Sequence, residues 1–151
     1  MHSNNDQYFS YRRISVNHYL LKEHILDTQT VIKLRTSVGW DSLSEQTLTK
    51  ALSHSIFFTS IWYKDQAVAM ARIVGDGHQY FYLQDMIIHP AHQKKGLCQR
   101  LTQHLVSQVK SIAEPGAFFG LMAAENVAGV YKKYGFVERP ANMPGMVMPI
   151  T

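Results

Sequence analysis

The residues best placed to do chemistry lie at Gln93-Lys94-Lys95-Gly96-Leu97-Cys98. This polar, basic, glycine-containing turn follows an apolar run that stops at His89-Pro90. It precedes a segment in which Leu97, Leu101, Leu105, Val109 and Ile112 recur at helical spacing. A buried strand therefore leads through a tight loop into an amphipathic helix. The first amides of a helix lack intrahelical partners and sit at the positive end of its dipole. With a glycine and two lysines in front of them they make an anion site, suited to a phosphate or pyrophosphate. The lysines fit a solvated basic turn equally well.

Other side chains invite two readings each. Asp85 interrupts an otherwise apolar strand, Tyr80–His89. A carboxylate buried there without a partner is costly, so it serves a reaction or pairs with a cation such as Arg72. His78 and His89 are eligible proton acceptors. His89 and His92 flank Pro90 at a spacing that suits a metal, but no third ligand cluster accompanies them, so they read as loop histidines. Cys98 stands alone, which rules out an intramolecular disulfide and points to a reducing, cytoplasmic setting. At a helix N-terminus its thiol is eligible for a lowered pKa and a covalent role; a small buried cysteine is the plainer reading.

These residues must be held by the rest of the chain. Residues up to about Gln7 read as a loose polar tail. Tyr8–Val16 reads as a first strand. Asp27 can cap a helix carrying Val31, Leu34 and Val38 on one face, ended by Gly39-Trp40. Ser42 and Glu45 have capping-box spacing for a second helix, with Leu48, Ala51 and Leu52 inward. Ile56–Tyr63, Ala67–Val74 and Tyr80–His89 are strands with short connections, hence an antiparallel meander. Ala117–Ala123 follows the strand–loop–helix unit and should lie parallel to Tyr80–His89 through a right-handed crossover. A short helix over about Val127–Tyr134 stops at Gly135. Phe136-Val137 and Met146-Val147-Met148 read as closing strands. The sum is one α/β (or α+β) domain over residues 1–151, a mixed sheet with helices on both faces.

Composition narrows the classes further. The chain is 46% hydrophobic and 17% charged, which suits a globular core rather than disorder. Its net charge of +4 and pI of about 9.2 suit an anionic ligand. No concentrated basic stripe argues for nucleic acid. The first residues lack a signal-peptide pattern, and no apolar run approaches membrane-spanning length.

Two segments together resemble a known family. Gln93–Cys98 is similar to the Q/R-x-x-G-x-G/A loop of the GNAT superfamily, the acyl-CoA-dependent N-acyltransferases. Gly129-Val130-Tyr131-Lys132-Lys133-Tyr134-Gly135-Phe136 resembles its aromatic-Tyr-x-x-x-Gly-Phe segment. The order of elements fits over nearly the whole chain. The resemblance implies a mostly antiparallel sheet of about six to seven strands, about four helices, and one parallel strand pair at the cofactor site. It implies acetyl transfer from acetyl-CoA to the primary amine of a small molecule or peptide, with no metal. Gln93, Lys94, Lys95, Gly96, Leu97 and Cys98 would hold the pyrophosphate; Met86, Ile87 and Ile88 would pair with the pantetheine arm. Tyr131 matches the family's general acid, Tyr134 being a rival off the motif position. Asp85, a histidine or water would take the amine's proton. Asn126 is a weaker carry-over for cofactor contact, since Ala124 holds the usual place. Cys98 departs from the family's Gly or Ala. Trp40, Asp41 and Trp62 are candidate lining residues for the acceptor, or plain core. Dimers are common in the family, so a homodimer is compatible. The alternative function is an acyl-CoA sensor that keeps the cofactor site without turnover.

Overall fold

Three consecutive apolar runs decide the middle of the molecule. Phe57–Tyr63 (β2), Gln66–Gly75 (β3) and Tyr80–Ile88 (β4) are joined by turns too short for anything but antiparallel neighbours. In the computed structural model, which describes residues 18–151, they form that meander. Tyr19–Lys22 (β1) adds antiparallel to β2 at one edge. Phe118–Gly120 (β5) adds parallel to β4 at the other, so the order is β1-β2-β3-β4-β5. Central β3 is covered on both faces, with Val68, Ala69, Met70, Ala71 and Ile73 all buried. Gly75 closes β3 at φ +146, where an added Cβ would lie 1.9 Å from the Tyr80 carbonyl oxygen. Beside it the Asp76 carboxylate accepts the amides of Tyr80, His78 and Gln79, which hold its pKa below the ordinary value.

Helices cover both faces. Thr28–Ser37 (α1) and Glu45–Ser53 (α2) bury Val31, Leu34, Leu48 and Leu52 against Phe58, Met70 and Ile87. On the opposite face Leu97–Ile112 (α3) buries Leu97, Leu101, Leu105 and Val109 against Ile61, Ala69, Phe81 and Leu83. Ala128–Lys132 (α4) docks on that second core through Tyr131. A 3-10 turn, Pro90–His92, separates β4 from the loop before α3.

Asp27 caps α1 as its position suggests. Its carboxylate accepts the Thr30 hydroxyl at 2.6 Å and the Thr30 amide at 2.9 Å, and these bonds depress its pKa. A group so depressed stabilises the fold above the unfolded carboxylate pKa of about 3.9, and that contribution disappears as pH falls through the lower folded value. Urea denaturation of Asp27→Ala should therefore show a loss of about 1 kcal/mol at pH 7. The difference from the parent should shrink in strong acid. A difference that stays constant down to pH 2 would mean the charge plays no part in the cap.

Four expectations need correction. Residue Ser44, not Ser42, caps α2: its hydroxyl accepts the Thr47 amide, while Ser42 accepts from Arg35. The described sheet has five strands rather than six or seven. The strand read at Ala117–Ala123 contracts to Phe118–Gly120, and the closing pair at Phe136-Val137 and Met146–Met148 forms no ladder. Pro140, Pro144 and Pro149 remove donors from that segment, and Met146, Val147 and Met148 stay 79–86% exposed. Phe136 instead packs edge-on against Phe119, ring centroids 5.0 Å apart. The strand read at Tyr8–Val16 lies outside the described residues, and β1 is a strand that the sequence pattern does not announce.

Candidate active site

The site begins with a defect in β4. Arg72 faces Gln84 and Met70 faces Ile87, so one residue of β3 opposes two of β4. The extra residue is a β-bulge at Asp85-Met86, with Asp85 in the left-handed region at φ 51. The bulge reverses the side-chain alternation. Before it, Phe81 and Leu83 face α3; after it, Met86 and Ile88 do, and Ile87 faces α1 and α2. Gln84 and Asp85 thus both turn to the α1–α2 side.

The same bend parts β4 from β5. The two pair only over Tyr80–Tyr82, opposite Phe118–Gly120. Beyond Tyr82 the outer edge of β4 has no strand beside it among the described residues. The His89 amide bonds the Val68 carbonyl. Antiparallel alternation then turns Ile87 toward β3 and sends the amide and carbonyl of Ile88 to the open edge. Of the three residues expected to meet a pantetheine arm, Met86 and Ile88 therefore offer backbone to the opening, whereas Ile87 is committed to β3 and the core.

The loop past β4 is built around unpaired amides. Gln93 folds back, its Nε2 donating to the Ile88 carbonyl at 3.1 Å. Lys94 at φ 60 and Gly96 at φ 77 are both left-handed, a pattern that turns successive N–H groups toward one point. Among the described residues, the amides of Lys94, Lys95, Gly96, Leu97 and Cys98 bond to no protein acceptor. Gly96 has no side-chain cap to offer, and an added Cβ would meet only Gln99 Oε1, at 3.9 Å. The cradle is open and lined with donors, so a pyrophosphate fits the residues present. The loop is braced from below. His92 Nδ1 bonds the Tyr19 hydroxyl at 2.8 Å, and Arg100 donates to the Tyr19 carbonyl at 2.7 Å. Burial, then the charges of Lys95 and His89, lower the His92 pKa and keep the ring neutral. His89 Nδ1 accepts the Ala91 amide. Both histidines serve the turn, and no three His, Cys, Asp or Glu side chains converge as a metal site among the described residues.

Tyr131 reaches this place from α4. It is buried, and its hydroxyl faces the Cys98 thiol in the first turn of α3. Burial, and then the neighbouring thiol, push its pKa well above the ordinary phenol value, so it holds its proton. Burial also raises the Cys98 pKa, against smaller opposing effects of Thr102 and Tyr131. The lowered thiol pKa considered for a helix N-terminus is thus corrected: burial of this half-buried group shifts it upward instead. Tyr131 also lines a groove of about 910 Å³ between β5, α3 and the C-terminal segment. Asn126 is exposed and left-handed at φ 63, in the turn before α4.

Asp85 does not stand free. Its Oδ1 accepts from Arg35 Nη1 at 2.5 Å, and its Oδ2 from Arg72 Nε at 2.7 Å. Arg72 was one of the two readings open from sequence. Arg35 was missed, because a contact fifty residues away leaves no periodic trace. Removing the carboxylate would strand two guanidiniums that are only 13–20% exposed. That costs about 3 kcal/mol or more, so an Asp85→Ala variant confounds folding with catalysis. Trp62 is packed and satisfied, its Nε1 bonding Ser60 Oγ, whereas Trp40 is 39% exposed.

Comparison with known proteins agrees with this geometry. The family described as "Acetyltransferase (GNAT) domain" matches residues 28–143. A relative named "Uncharacterized N-acetyltransferase ycf52", from Gracilaria tenuistipitata var. liui, is 27% identical over 144 residues, covering 93% of this chain and 78% of its own. "Serotonin N-acetyltransferase 2, chloroplastic" of Oryza sativa subsp. japonica is 29% identical over 128 residues, covering 80% of this chain and 62% of that relative. A solved GNAT-family acetyltransferase of Streptococcus pneumoniae TIGR4 superposes with a TM-score of 0.72 at 27% identity, covering 87% of this chain and 98% of that one. With the bulged β4, the parted strands, the amide cradle and the family match all in one place, the chain belongs to the GNAT acetyltransferases and is an acyltransferase.

Proposed function

We propose that this protein moves an acetyl group from acetyl-CoA to the primary amine of a small molecule by direct attack, with Tyr131 as general acid. The observation that carries the reading is the placement of a proton-holding phenol beside the first turn of α3, next to five unpaired amides. Acetyl-CoA, when bound, supplies an activated thioester. The amides of Lys94 to Cys98 would hold its pyrophosphate, with Lys94 and Lys95 adding attraction for the phosphates. The open edge at Met86 and Ile88 would align the pantetheine, and the Ile88 amide would polarise the acyl carbonyl. Tyr131 would then deliver its proton to the departing sulfur. Both Asp85 oxygens are taken by arginines, so we assign removal of the amine's proton to water in the open cleft. We further propose a cytoplasmic location, on the reducing setting that a single cysteine fits.

The test is acetyl transfer across a panel of amines, followed by release of free thiol. Arylalkylamines belong in the panel because one relative's name carries serotonin; polyamines, amino acids and peptide N-termini complete it. Turnover on at least one amine is expected. Tight coenzyme A binding by calorimetry with no turnover on any amine would favour a sensor instead.

A further inference from the structure

The Arg35 side chain is spread across three partners on two sides. Nη1 bonds Asp85 at the bulge, while Nη2 donates to the Asp41 carbonyl at 2.6 Å and Nε to Ser42 Oγ at 3.0 Å and the Asp41 carbonyl at 3.2 Å. Its guanidinium also lies 5.6 Å from the centre of the Trp40 ring. Arg72, the second cation on Asp85, faces the other way and donates to the Ala51 carbonyl and Ser55 Oγ at the end of α2. One left-handed carboxylate is thus tied to the sheet by one arginine and to the α1–α2 loop by the other. Because Asp41 and Asp85 share a single guanidinium, the loop is drawn to within that fork's width of the bulge. The link to β4, the strand that would carry the thioester, runs through the Arg35–Asp85 bond. The loop and α1 line an open hollow of about 380 Å³ that includes Ile32, Trp40, Asp41 and Leu43. The Asp41 carboxylate has no hydrogen-bond partner among the described residues.

We propose that Arg35 is a positioning residue for the acceptor. It holds Trp40 and Asp41 beside the bulge, where the ring and the carboxylate receive an amine with an apolar or aromatic body. The inference rests on the acetyl-transfer reading for its kinetic half only. The planar guanidinium holds its three acceptors in fixed directions, which leaves the loop few alternatives. Lysine keeps the charge but not the fork, so it cannot bond Asp85, Asp41 and Ser42 together.

Arg35→Lys and Arg35→Met test this, with Ser42→Ala as a milder variant that leaves the Asp85 pair intact. Hydrogen exchange at the Gly39 and Trp40 amides, which bond the Thr36 and Arg35 carbonyls, should accelerate about tenfold in both Arg35 variants, and several-fold less in Ser42→Ala, while exchange in β3 and β4 is preserved. With tryptamine or the best amine of the panel, KM for the amine should rise about tenfold. The coenzyme A Kd and kcat should stay within about twofold. Unchanged exchange at Gly39 and Trp40 would overturn the proposal. So would a rise in coenzyme A Kd equal to the rise in amine KM, which would mark general loosening. If the parent protein acetylates no amine, the acetyl-transfer reading fails by itself, and the exchange measurement still decides whether Arg35 anchors the loop.

Discussion

Tyr131→Phe should lower kcat for acetyl transfer by about 10²–10³-fold and leave the coenzyme A Kd within about twofold. The substitution keeps the ring that packs against Phe136 and the α3 face, and removes only the hydroxyl. The phenol holds its proton because burial penalises the phenolate, so the wild-type rate should show no fall from loss of that proton at neutral or mildly alkaline pH. Stability should change by only about 1 kcal/mol, the scale of one hydrogen bond. Steady-state rates, calorimetric affinity and a thermal melt separate the cases. Full activity in a folded Tyr131→Phe protein would remove the acid from the mechanism. A matched loss of activity and affinity would make Tyr131 a binding residue instead.

Gly96→Val should weaken coenzyme A binding by about 100-fold or more while the protein stays folded. Two effects combine. At φ 77 an L-residue pays roughly 1–2 kcal/mol, more when β-branched. In addition, the new side chain enters a cradle whose protein side is empty to 3.9 Å, so it meets the ligand rather than the fold. A 100-fold loss corresponds to about 2.7 kcal/mol. Titration calorimetry with coenzyme A, and with inorganic pyrophosphate as the smaller probe, reads it directly. Unchanged affinity for both would place the nucleotide elsewhere, and the acetyl-transfer reading would lose its cofactor site.

Much of the architecture was legible in the chain. The meander follows from three apolar runs separated by two tight turns, and α3 from leucines at helical spacing behind a glycine. The cofactor loop was legible for the same reason, since a strand, a basic turn and a helix start are contiguous in sequence. Failures cluster where long-range geometry decides. Met146-Val147-Met148 has strand propensity, but propensity needs an edge to pair with, and the prolines around it keep it from β5. The cap of α2 moved from Ser42 to Ser44, because Arg35 engages Ser42 and leaves Ser44 free to accept the Thr47 amide.

By itself, the order of residues determined the β2–β3–β4 meander, the helices α1 to α3, and which loop presents bare amides to an anion. Those properties are local: they depend on alternation, spacing and the conformational freedom of a glycine. Only the folded chain decided what Asp85 is for. Whether a carboxylate in an apolar strand is a base or an anchor depends on what lies beside it, and here α1 and β3 each bring a guanidinium. Tertiary structure also turned Ile87 away from the opening and set Tyr131 against Cys98. A one-residue bulge reverses the facing of every residue after it, and no count of residue types along a strand reveals where such a shift occurs.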